Sequence, residues 1–316
     1  MRCIVLDDYQ GVATTYADWS VLDDVETTSI REHLPDENAV VAAVADADIV
    51  VLMRERTPFP ARLLARLPRL RLLVTTGLRN AAIDVAAANG RGVVVCGTPS
   101  SSTPPVELAW ALVLGLMRQL VSESTALRFG GPWQSSVGRD LAGATLGVVG
   151  LGKIGSRVAT VGQAFGMDVV SWSQHLTDER AAEVGVRRAA RLPELLTQSD
   201  VVTLHLVLSD RSRGLLGADE LALMRRSAYL VNTARAGLVD TPALVAALVA
   251  GGIAGAGLDV YDEEPLPANH LLRTLPNVLG TPHLGYVTEA NYRTYFTGVV
   301  EDIAAWQAGH PIRRLG

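Results

Sequence analysis

An apolar strand that runs directly into a glycine-rich turn constrains this chain more than any other feature. Residues Thr145 to Val149 are mostly apolar, and Gly150, Gly152 and Gly155 follow them in a GxGxxG pattern. Only a residue without a side chain lets the backbone turn tightly at the first glycine and approach a pyrophosphate at the second. The third glycine lets the next helix lie close to the strand. The pattern therefore predicts a dinucleotide-binding turn.

A glycine-rich turn that binds no ligand is the alternative, because this chain contains 29 glycines in 316 residues. The surrounding sequence disfavours that alternative. A helix is predicted from Ser156 to Phe165 and a strand at Asp168–Trp172, so the turn lies between a strand and a helix as a dinucleotide-binding βαβ unit requires. The helix N-terminus would present unpaired N–H groups and its positive dipole end to the phosphates.

Short apolar runs alternate with helix-like segments along the chain, which is typical of an α/β protein with mainly parallel sheets. The runs before the glycine-rich turn predict strands at Arg2–Leu6, Asp48–Met53, Leu70–Thr75 and Gly92–Cys96. The later runs predict strands at Leu146–Val149, Asp168–Trp172, Asp200–Leu206, Ala228–Asn232, Gly255–Asp259 and Asn277–Gly280. We expect two doubly wound lobes that bind ligands at the carboxyl ends of their strands.

A proline-rich segment and a long apolar helix, predicted at Val106–Phe129, separate the two groups of strands. The amphipathic tail from Thr288 to Gln307 is predicted to be a helix that returns to cover the first lobe. We therefore expect a Rossmann dinucleotide-binding domain, residues 99–287, inserted in a flavodoxin-like substrate domain made of residues 1–98 and 288–316.

The composition is typical of a soluble globular protein, with 48% hydrophobic and 19% charged residues. A net charge of −5 argues against nucleic acid as a partner, because phosphate backbones are bound by clustered Lys and Arg. The pair Arg187–Arg188 is expected to be solvated. We find no signal peptide and no apolar run of the ~18 residues that a membrane span needs, so we expect a cytoplasmic protein without a membrane partner. Cys3 and Cys96 are expected to be buried thiols, and no metal site is predicted.

Ionisable residues follow three of the apolar runs in the second half of the chain. Four ionisable residues lie at or just beyond the ends of predicted strands: Arg235, Asp259, Glu264 and His283. Because the carboxyl ends of parallel strands meet at one edge of a sheet, these side chains are predicted to converge there. A nicotinamide cofactor carries hydride but no acid or base, so carbonyl reduction needs a proton donor from the protein, and histidine suits that role near neutral pH.

In these stretches the chain resembles the D-isomer-specific 2-hydroxyacid dehydrogenase family, which includes phosphoglycerate dehydrogenases and glyoxylate/hydroxypyruvate reductases. The resemblance covers nearly the whole chain, through Val74–Asp84, Leu141–Gly152, the segments around Arg235 and Glu264, and Pro282–Gly285. It implies an oxidoreductase that transfers hydride between a nicotinamide cofactor and a small 2-keto or D-2-hydroxy acid, such as glyoxylate, hydroxypyruvate or a phosphoglycerate-like acid.

The resemblance also implies roles for individual residues. Arg235 would bind the substrate's carboxylate and polarise its keto oxygen, His283 would be the acid/base, and Glu264 would be its carboxylate partner. A carboxylate against an imidazole favours the imidazolium, which can donate a proton to the forming alkoxide. The backbone N–H groups of Gly77 and Leu78 would bind the substrate carboxylate.

Asp259 would hold the nicotinamide carboxamide of the cofactor. The remaining predicted cofactor-binding residues are Gly150, Gly152, Lys153, Ile154, Gly155, Ser173, Thr233 and Ala234. Ser173 stands where an acid ~20 residues beyond the glycines commonly bonds the adenosine ribose. NAD is the predicted cofactor. NADP stays open, because Ser173 would not repel a 2′-phosphate, although neither Gln174 nor His175 is the arginine that binds one.

Each of these residues has a purely structural alternative when taken alone. Arg235 would be a surface charge, Glu264 part of a solvated acidic turn, His283 a turn histidine and Asp259 a turn cap; their joint order favours the catalytic interpretation. His205 lies within a predicted strand and is interpreted as a core histidine. The small departures from the family pattern, at Ala236 and Val207, weaken neither catalytic assignment.

Two other functions are alternatives to the dehydrogenase. An NAD(H)-sensing regulatory or corepressor-like protein on the same fold would lack a catalytic residue or carry a partner-binding tail, and neither is found. A relative that acts on formate is disfavoured because no Gln-Pro-rich site segment is present. Arg54 and Arg56 would either meet a distal phosphate of the substrate or lie in a solvated loop.

Assembly is predicted from the helix at Val106–Phe129. Its apolar residues Trp110, Leu112, Leu116 and Met117 exceed what one sheet face needs, and relatives in the family pair in this region. We therefore expect a homodimer through this helix.

Overall fold

The computed structural model describes all 316 residues and divides into two compact units, Met1–Ser101 with Val287–Gly316, and Ser102–Tyr286. The strands of the first unit are β1 (Arg2–Val5), β2 (Glu26–Ser29), β3 (Ile49–Leu52), β4 (Leu72–Thr75) and β5 (Val94–Gly97), and its first helices are α1 (Glu37–Val44), α2 (Ala61–Leu64) and α3 (Val85–Gly90).

The helices of the second unit are α4 (Thr103–Met117), α5 (Leu120–Arg128), α6 (Lys153–Ala164), α7 (Asp178–Val184), α8 (Leu192–Gln198), α9 (Ala218–Leu223) and α10 (Thr241–Val249). Its strands are β6 (Thr145–Val149), β7 (Asp168–Trp172), β8 (Arg187–Arg188), β9 (Val201–Leu204), β10 (Tyr229–Asn232), β11 (Gly255–Leu258) and β12 (Val278–Gly280). The chain then returns to the first unit through its last helix, α11 (Glu289–Gln307).

All strand pairs in both sheets are parallel, as the alternation of strands and helices predicts. The first unit has the order β2-β1-β3-β4-β5, which is the flavodoxin-like order. The second has the order β12-β11-β10-β9-β6-β7-β8, which is the Rossmann order extended by one strand at the β12 edge. The predicted fold class is therefore confirmed.

Helix α11 confirms the tail helix expected from the sequence. Thr288 caps its N-terminus by accepting a hydrogen bond from the N–H of Asn291, and its buried face includes Phe296, Val299 and Ile303. This face packs on β4 and β5. The apolar three- and four-residue spacing of the tail thus buries the helix on the first sheet.

The predicted single helix at Val106–Phe129 is wrong. The chain forms α4 and α5 instead, which are bent by 65° at their junction because Gln119 adopts a left-handed backbone conformation with φ of 51°. No single helix in the structure has the length and hydropathy needed to cross a membrane. The bent pair α4 and α5 has that length and hydropathy only when the two helices are counted together.

The reason given for self-association through α4 is also wrong. Trp110, Leu112, Leu116 and Met117 are buried within the second unit, in a core that also contains residues of β6, β9 and β10. These side chains therefore fill the unit's own interior and are not exposed apolar surface on α4. The exposed apolar side chains lie further along, in α5 and the segment after it.

Two strands were not predicted, β2 and β8. Both lie at sheet edges and consist of polar or charged residues, so no apolar run marks them. An edge strand needs only backbone pairing on one side, and charged residues there limit association with other edges. Cys3 and Cys96 are free and buried, as expected.

Gly155 generates the first testable prediction. A Cβ at this position would lie 1.9 Å from the carbonyl oxygen of Gly150, so helix α6 would have to move away from β6. Gly155→Ala should destabilise the fold by about 1–3 kcal/mol, because overpacking outweighs the ~1 kcal/mol that alanine gains in a helix. Thermal or urea unfolding measures the change.

Gly152→Ala is the matched control. A Cβ at Gly152 would meet no atom within 4 Å, and Gly152 has an ordinary φ of −80°. This variant should unfold within about 1 kcal/mol of the wild type. Equal stability of the two alanine variants would contradict the packing argument.

Candidate functional site

The strands of the second unit end in register at their carboxyl edge. Cα pairing aligns the last residues of six strands in one row, in the order Trp172, Val149, Leu204, Asn232, Leu258 and Gly280. The next residues of the chain therefore form a second row, Ser173, Gly150, His205, Thr233, Asp259 and Thr281. Neighbouring strands lie ~4.8 Å apart, so this edge gathers residues that are far apart in sequence.

The glycine-rich turn has the geometry that a dinucleotide pyrophosphate requires. Gly150 has a φ of 102°, which favours glycine, and Gly152 caps the N-terminus of α6. Lys153 and Ile154 are the first two residues of that helix, where N–H groups have no intrahelical acceptor. Because a Cβ at Gly152 would meet no protein atom, its backbone is open to close approach by a ligand.

Thr233 adds a second sign of a ligand at this edge. Its Oγ1 is buried and has no hydrogen-bond partner within the protein, and buried hydroxyls rarely lack one. The segment is braced by Asn232, whose side chain donates to the carbonyl of Arg235 (2.9 Å) and accepts from the N–H of Ala234 (3.1 Å). The residues present therefore fit a nicotinamide dinucleotide held between the glycine-rich turn and this segment.

His283 and Glu264 are in direct polar contact at this edge. The Nδ1 atom of His283 lies 2.6 Å from Oε2 of Glu264, and both side chains are 23% exposed. The other carboxylate oxygen, Oε1, accepts from the backbone N–H of Tyr261 at 3.0 Å. Glu264 is thus held from both sides, and the imidazole orientation is fixed by a charge-assisted bond.

Asp259 anchors the turn that carries His283. Its Oδ1 accepts from the hydroxyl of Thr281 (2.7 Å) and the N–H of Leu284 (2.7 Å), and Oδ2 accepts from the N–H of Gly285 (2.8 Å). Burial raises the pKa of this carboxyl, while these bonds and the nearby His283 oppose the rise. These bonds agree with the turn cap that was the structural alternative for Asp259, and the contact with the nicotinamide carboxamide stays a prediction.

Tyr261 is a site residue that sequence reasoning missed. Its hydroxyl donates to the carbonyls of Leu258 and Thr281, each at 3.1 Å, and so joins the ends of β11 and β12. Burial and then the carboxylates of Asp259 and Glu264 raise its pKa to about 12, so the hydroxyl stays protonated. A tyrosine within the acidic stretch after β11 was the only available signal.

His205 lies at the same edge but differs from His283 in its surroundings. It follows the end of β9 and does not lie within the strand, and its Nε2 contacts the hydroxyl of Thr203 at 2.9 Å. Burial lowers its pKa to about 4, so the ring is neutral near pH 7 and cannot act as an acid there. His283, by contrast, contacts a carboxylate oxygen and not a hydroxyl.

The first unit carries the predicted backbone donors at the carboxyl end of β4. Gly77 has a φ of 98°, and its N–H donates to Oγ1 of Thr98 at 3.0 Å, so that donor already has an acceptor. The N–H of Leu78 makes no hydrogen bond within the protein, and its side chain is exposed. Arg54 lies against this turn: a Cβ at Gly77 would be 2.0 Å from its Nη1, and that nitrogen donates to the carbonyl of Thr76.

Comparison with known proteins gives the same family for most of the chain. Residues 110–285 match the family described as D-isomer specific 2-hydroxyacid dehydrogenase, NAD binding domain. A glyoxylate reductase from Aeropyrum pernix is 37% identical over 285 residues, which cover 87% of this chain and 84% of the relative. A D-3-phosphoglycerate dehydrogenase from Methanocaldococcus jannaschii is 35% identical over 286 residues, and the match spans 90% of this chain but 54% of that longer protein.

A solved structure agrees over the full length. The phosphoglycerate oxidoreductase of Vibrio cholerae has a TM-score of 0.93 and 38% identity, with 98% of this chain and 99% of that chain covered. The match therefore includes both sheets as well as the glycine-rich turn. This chain belongs to the D-isomer specific 2-hydroxyacid dehydrogenase family and is an NAD-dependent oxidoreductase.

Proposed function

We propose that this enzyme reduces a small 2-keto acid to the D-2-hydroxy acid, with His283 as the acid/base and Arg235 as the substrate-binding cation. The observation that carries the proposal is the 2.6 Å contact between His283 Nδ1 and Glu264 Oε2 at the edge where the NAD-binding turn lies. NAD supplies or accepts the hydride when it is bound. The protein must supply the proton, the charge for the carboxylate and the orientation.

His283 has the surroundings of a proton donor. With Nδ1 donating to the Glu264 carboxylate, Nε2 is the nitrogen that would give a proton to the keto oxygen. Glu264 stabilises the imidazolium and prevents the ring from turning, because its own position is fixed by Tyr261. In the oxidative direction the neutral imidazole would take the hydroxyl proton back, as microscopic reversibility requires.

Arg235 would bind the carboxylate and polarise the keto oxygen. It follows β10, the neighbour of β11 in the sheet, by three residues, and its Nη1 donates to the carbonyl of Ala234 at 2.7 Å. That bond limits the side chain to few conformations, and the planar guanidinium suits a carboxylate and an adjacent oxygen. We propose Asp259 as the acceptor for the nicotinamide carboxamide, and Thr233 and Ala234 as further contacts to the cofactor.

For the first unit taken by itself, we propose that the N–H of Leu78 binds the carboxylate of a 2-keto acid, since it has no acceptor within the protein. The Arg54 guanidinium beside Gly77 would add positive charge at the same turn. The substrate that we propose is a compact acid such as glyoxylate, hydroxypyruvate or a phosphoglycerate-like acid; glyoxylate and D-3-phosphoglycerate are the acids in the names of two relatives.

The second prediction tests the proton donor. His283→Ala should lower kcat for keto acid reduction about 10²- to 10⁴-fold, the range for a positioned general acid, while NADH binding changes little. Glu264→Gln keeps the shape but removes the charge, so it should also lower kcat, because the charge-assisted bond that orients the imidazole is lost. The measurement is kcat and KM on whichever 2-keto acid of a panel is turned over.

Glu263→Gln is the matched control, because Glu263 is exposed and adjacent to Glu264 in the chain. Its kcat should equal that of the wild type. If Glu264→Gln also matches the wild type, or if His283→Ala retains near-wild-type reduction, the pair is not the acid catalyst. A protein that binds NADH but turns over no member of the panel would instead support the regulatory, NAD(H)-sensing alternative.

We also propose that the enzyme is a homodimer, through an exposed apolar surface made of α5 and the following segment. The surface consists of Leu120, Val121, Leu127, Phe129, Trp133 and Val137. Phe129, Trp133 and Val137 are 82%, 80% and 96% exposed, and α5 buries no residue in the monomer. Large exposed apolar side chains concentrated in one segment are typical of protein–protein contact.

The third prediction concerns this surface. Light scattering at micromolar concentration should give roughly twice the chain mass of 33.6 kDa. The double variant Phe129→Ser with Trp133→Ser should move the population towards the monomer. Val249→Ser is the control, because Val249 is 64% exposed on α10, away from this segment. A monomeric wild type would rule the proposal out.

A further inference from the structure

The second unit contains a cavity of about 150 Å³ between helix α10 and the segment that follows β11, hereafter the α10 cavity. Its apolar wall is made of six side chains: Val239, Leu244, Leu258, Val260, Leu266 and Leu272. Arg235, Glu264 and His283 do not line it. The α10 cavity is therefore separate from the proposed acid/base pair and from the cation that would bind the substrate.

The volume and the apolar wall of the α10 cavity define the body of a ligand that would fit it. Five of the six apolar side chains are at most 6% exposed, so the wall belongs to the buried interior of the unit. An apolar cavity of this volume accommodates a molecule about the size of benzene, and such a molecule gains dispersion contacts with the side chains of the wall. A matching ligand therefore has a compact apolar body.

Two carboxylates lie where the α10 cavity reaches the surface. Asp262 and Glu263 both line it, both are exposed, and neither forms an ion pair. No Lys or Arg lines the cavity, and the arginine of this segment, Arg273, donates to the carbonyl of Leu266 instead (3.0 Å). The His270 ring, which also lines the cavity, uses Nδ1 to accept a backbone N–H at 3.2 Å. The opening therefore favours a cation and disfavours the anionic cofactor and substrate.

Two residues that brace the candidate site also line the α10 cavity. Tyr261 holds Glu264 in place, because its backbone N–H donates to Oε1 of that carboxylate at 3.0 Å. Asn232 holds the segment of Arg235, because its side chain donates to the carbonyl of Arg235 at 2.9 Å. A ligand in the cavity would contact both braces. Each proposed site residue is thus one hydrogen bond away from the wall of the cavity.

We propose that the α10 cavity is a regulatory site for a compact apolar molecule with an ammonium group, and that its occupation activates the enzyme. The cavity is formed while Tyr261 and Asn232 hold Glu264 and Arg235. A ligand that fills it therefore binds this arrangement and stabilises it against others. The binding does not depend on the proposed function, whereas the activation rests on the proposed roles of Glu264 and Arg235 in keto acid reduction.

The probe is N,N-dimethylbenzylamine, which has an apolar ring and a cationic head and cannot condense with a keto acid to form an imine. Benzyl alcohol is its neutral counterpart. Calorimetric titration of the full chain should show that the amine binds about threefold more tightly than the alcohol, as expected for attraction between exposed charges. The difference should shrink as salt is added, because such charges are screened. Saturating amine should raise kcat/KM for 2-keto acid reduction about twofold to fivefold.

A cavity-filling variant locates the bound amine. Leu244→Phe enlarges a side chain of the wall, so it should weaken amine binding about tenfold or more and remove the activation. Leu248→Phe is the matched control, because Leu248 is buried one turn later on α10 and does not line the cavity. Its amine affinity should equal that of the wild type, although overpacking should lower its stability.

A pair of surface substitutions tests the charge and leaves the core intact, so it decides the question even where a phenylalanine variant fails to fold. Asp262→Asn with Glu263→Gln should lower the affinity for the amine about threefold and leave that for benzyl alcohol unchanged. Glu107→Gln is the control, because Glu107 is exposed on α4 and does not line the cavity. Its two affinities should match those of the wild type.

The outcomes separate the binding from the activation. If the wild type shows no saturable binding of the amine, or if Leu244→Phe binds it as the wild type does, the α10 cavity is not its site and the inference is refuted. Equal affinity for amine and alcohol would refute the preference for a cation. If the amine binds as expected but kcat/KM is unchanged or lowered, the activation is refuted. If no 2-keto acid is reduced, the proposed function fails, and the titration still decides whether the cavity binds the amine.

Discussion

The register of the parallel sheet in the second unit is the constraint on which its chemistry depends. Six strands end at the same level, and the backbone ladder continues one residue beyond them: Gly150 N–H bonds the carbonyl of Trp172, and Asp259 N–H bonds that of Asn232. One row of residues therefore holds the glycine-rich turn, the unpaired hydroxyl of Thr233 and the anchor of the His283 turn. A slip of any strand by one residue would move its side chains to the opposite face of the sheet.

The contact between His283 and Glu264 depends on a strained turn that a buried carboxylate holds in place. His283 has a φ of 55°, a left-handed conformation that costs a non-glycine residue of order 1 kcal/mol or more. Asp259 offsets that cost through three hydrogen bonds to the turn, and Tyr261 joins the two strand ends beside it. The 2.6 Å contact with Glu264 thus results from backbone that is fixed before any ligand arrives, which is what catalysis by positioned groups requires.

Buried features were predictable from the sequence, and exposed or geometric ones were not. The apolar runs predicted ten of the twelve strands, because a strand buried on both faces needs continuous apolar residues. The other two, β2 and β8, are polar edge strands and contain no apolar run. The break at Gln119 depends on one backbone angle, which composition does not encode. Likewise family motifs predicted Arg235, Glu264 and His283 as site residues, and a turn cap was the structural alternative for Asp259, but the contacts of Tyr261 depend on where its hydroxyl points.

Net charge says little about where cationic side chains lie in this protein. The chain carries −5 overall, yet arginines lie beside the turn after β7, Ser173–Leu176, as the neighbouring pair Arg187–Arg188 illustrates. Both were expected to be solvated, and both are exposed. Successive residues of a strand project to opposite faces, so Arg187 turns to Asp168 while Arg188 reaches the carbonyl of Leu176. The alternation of a two-residue edge strand therefore directs one arginine to the start of β7 and the other to the turn that follows it.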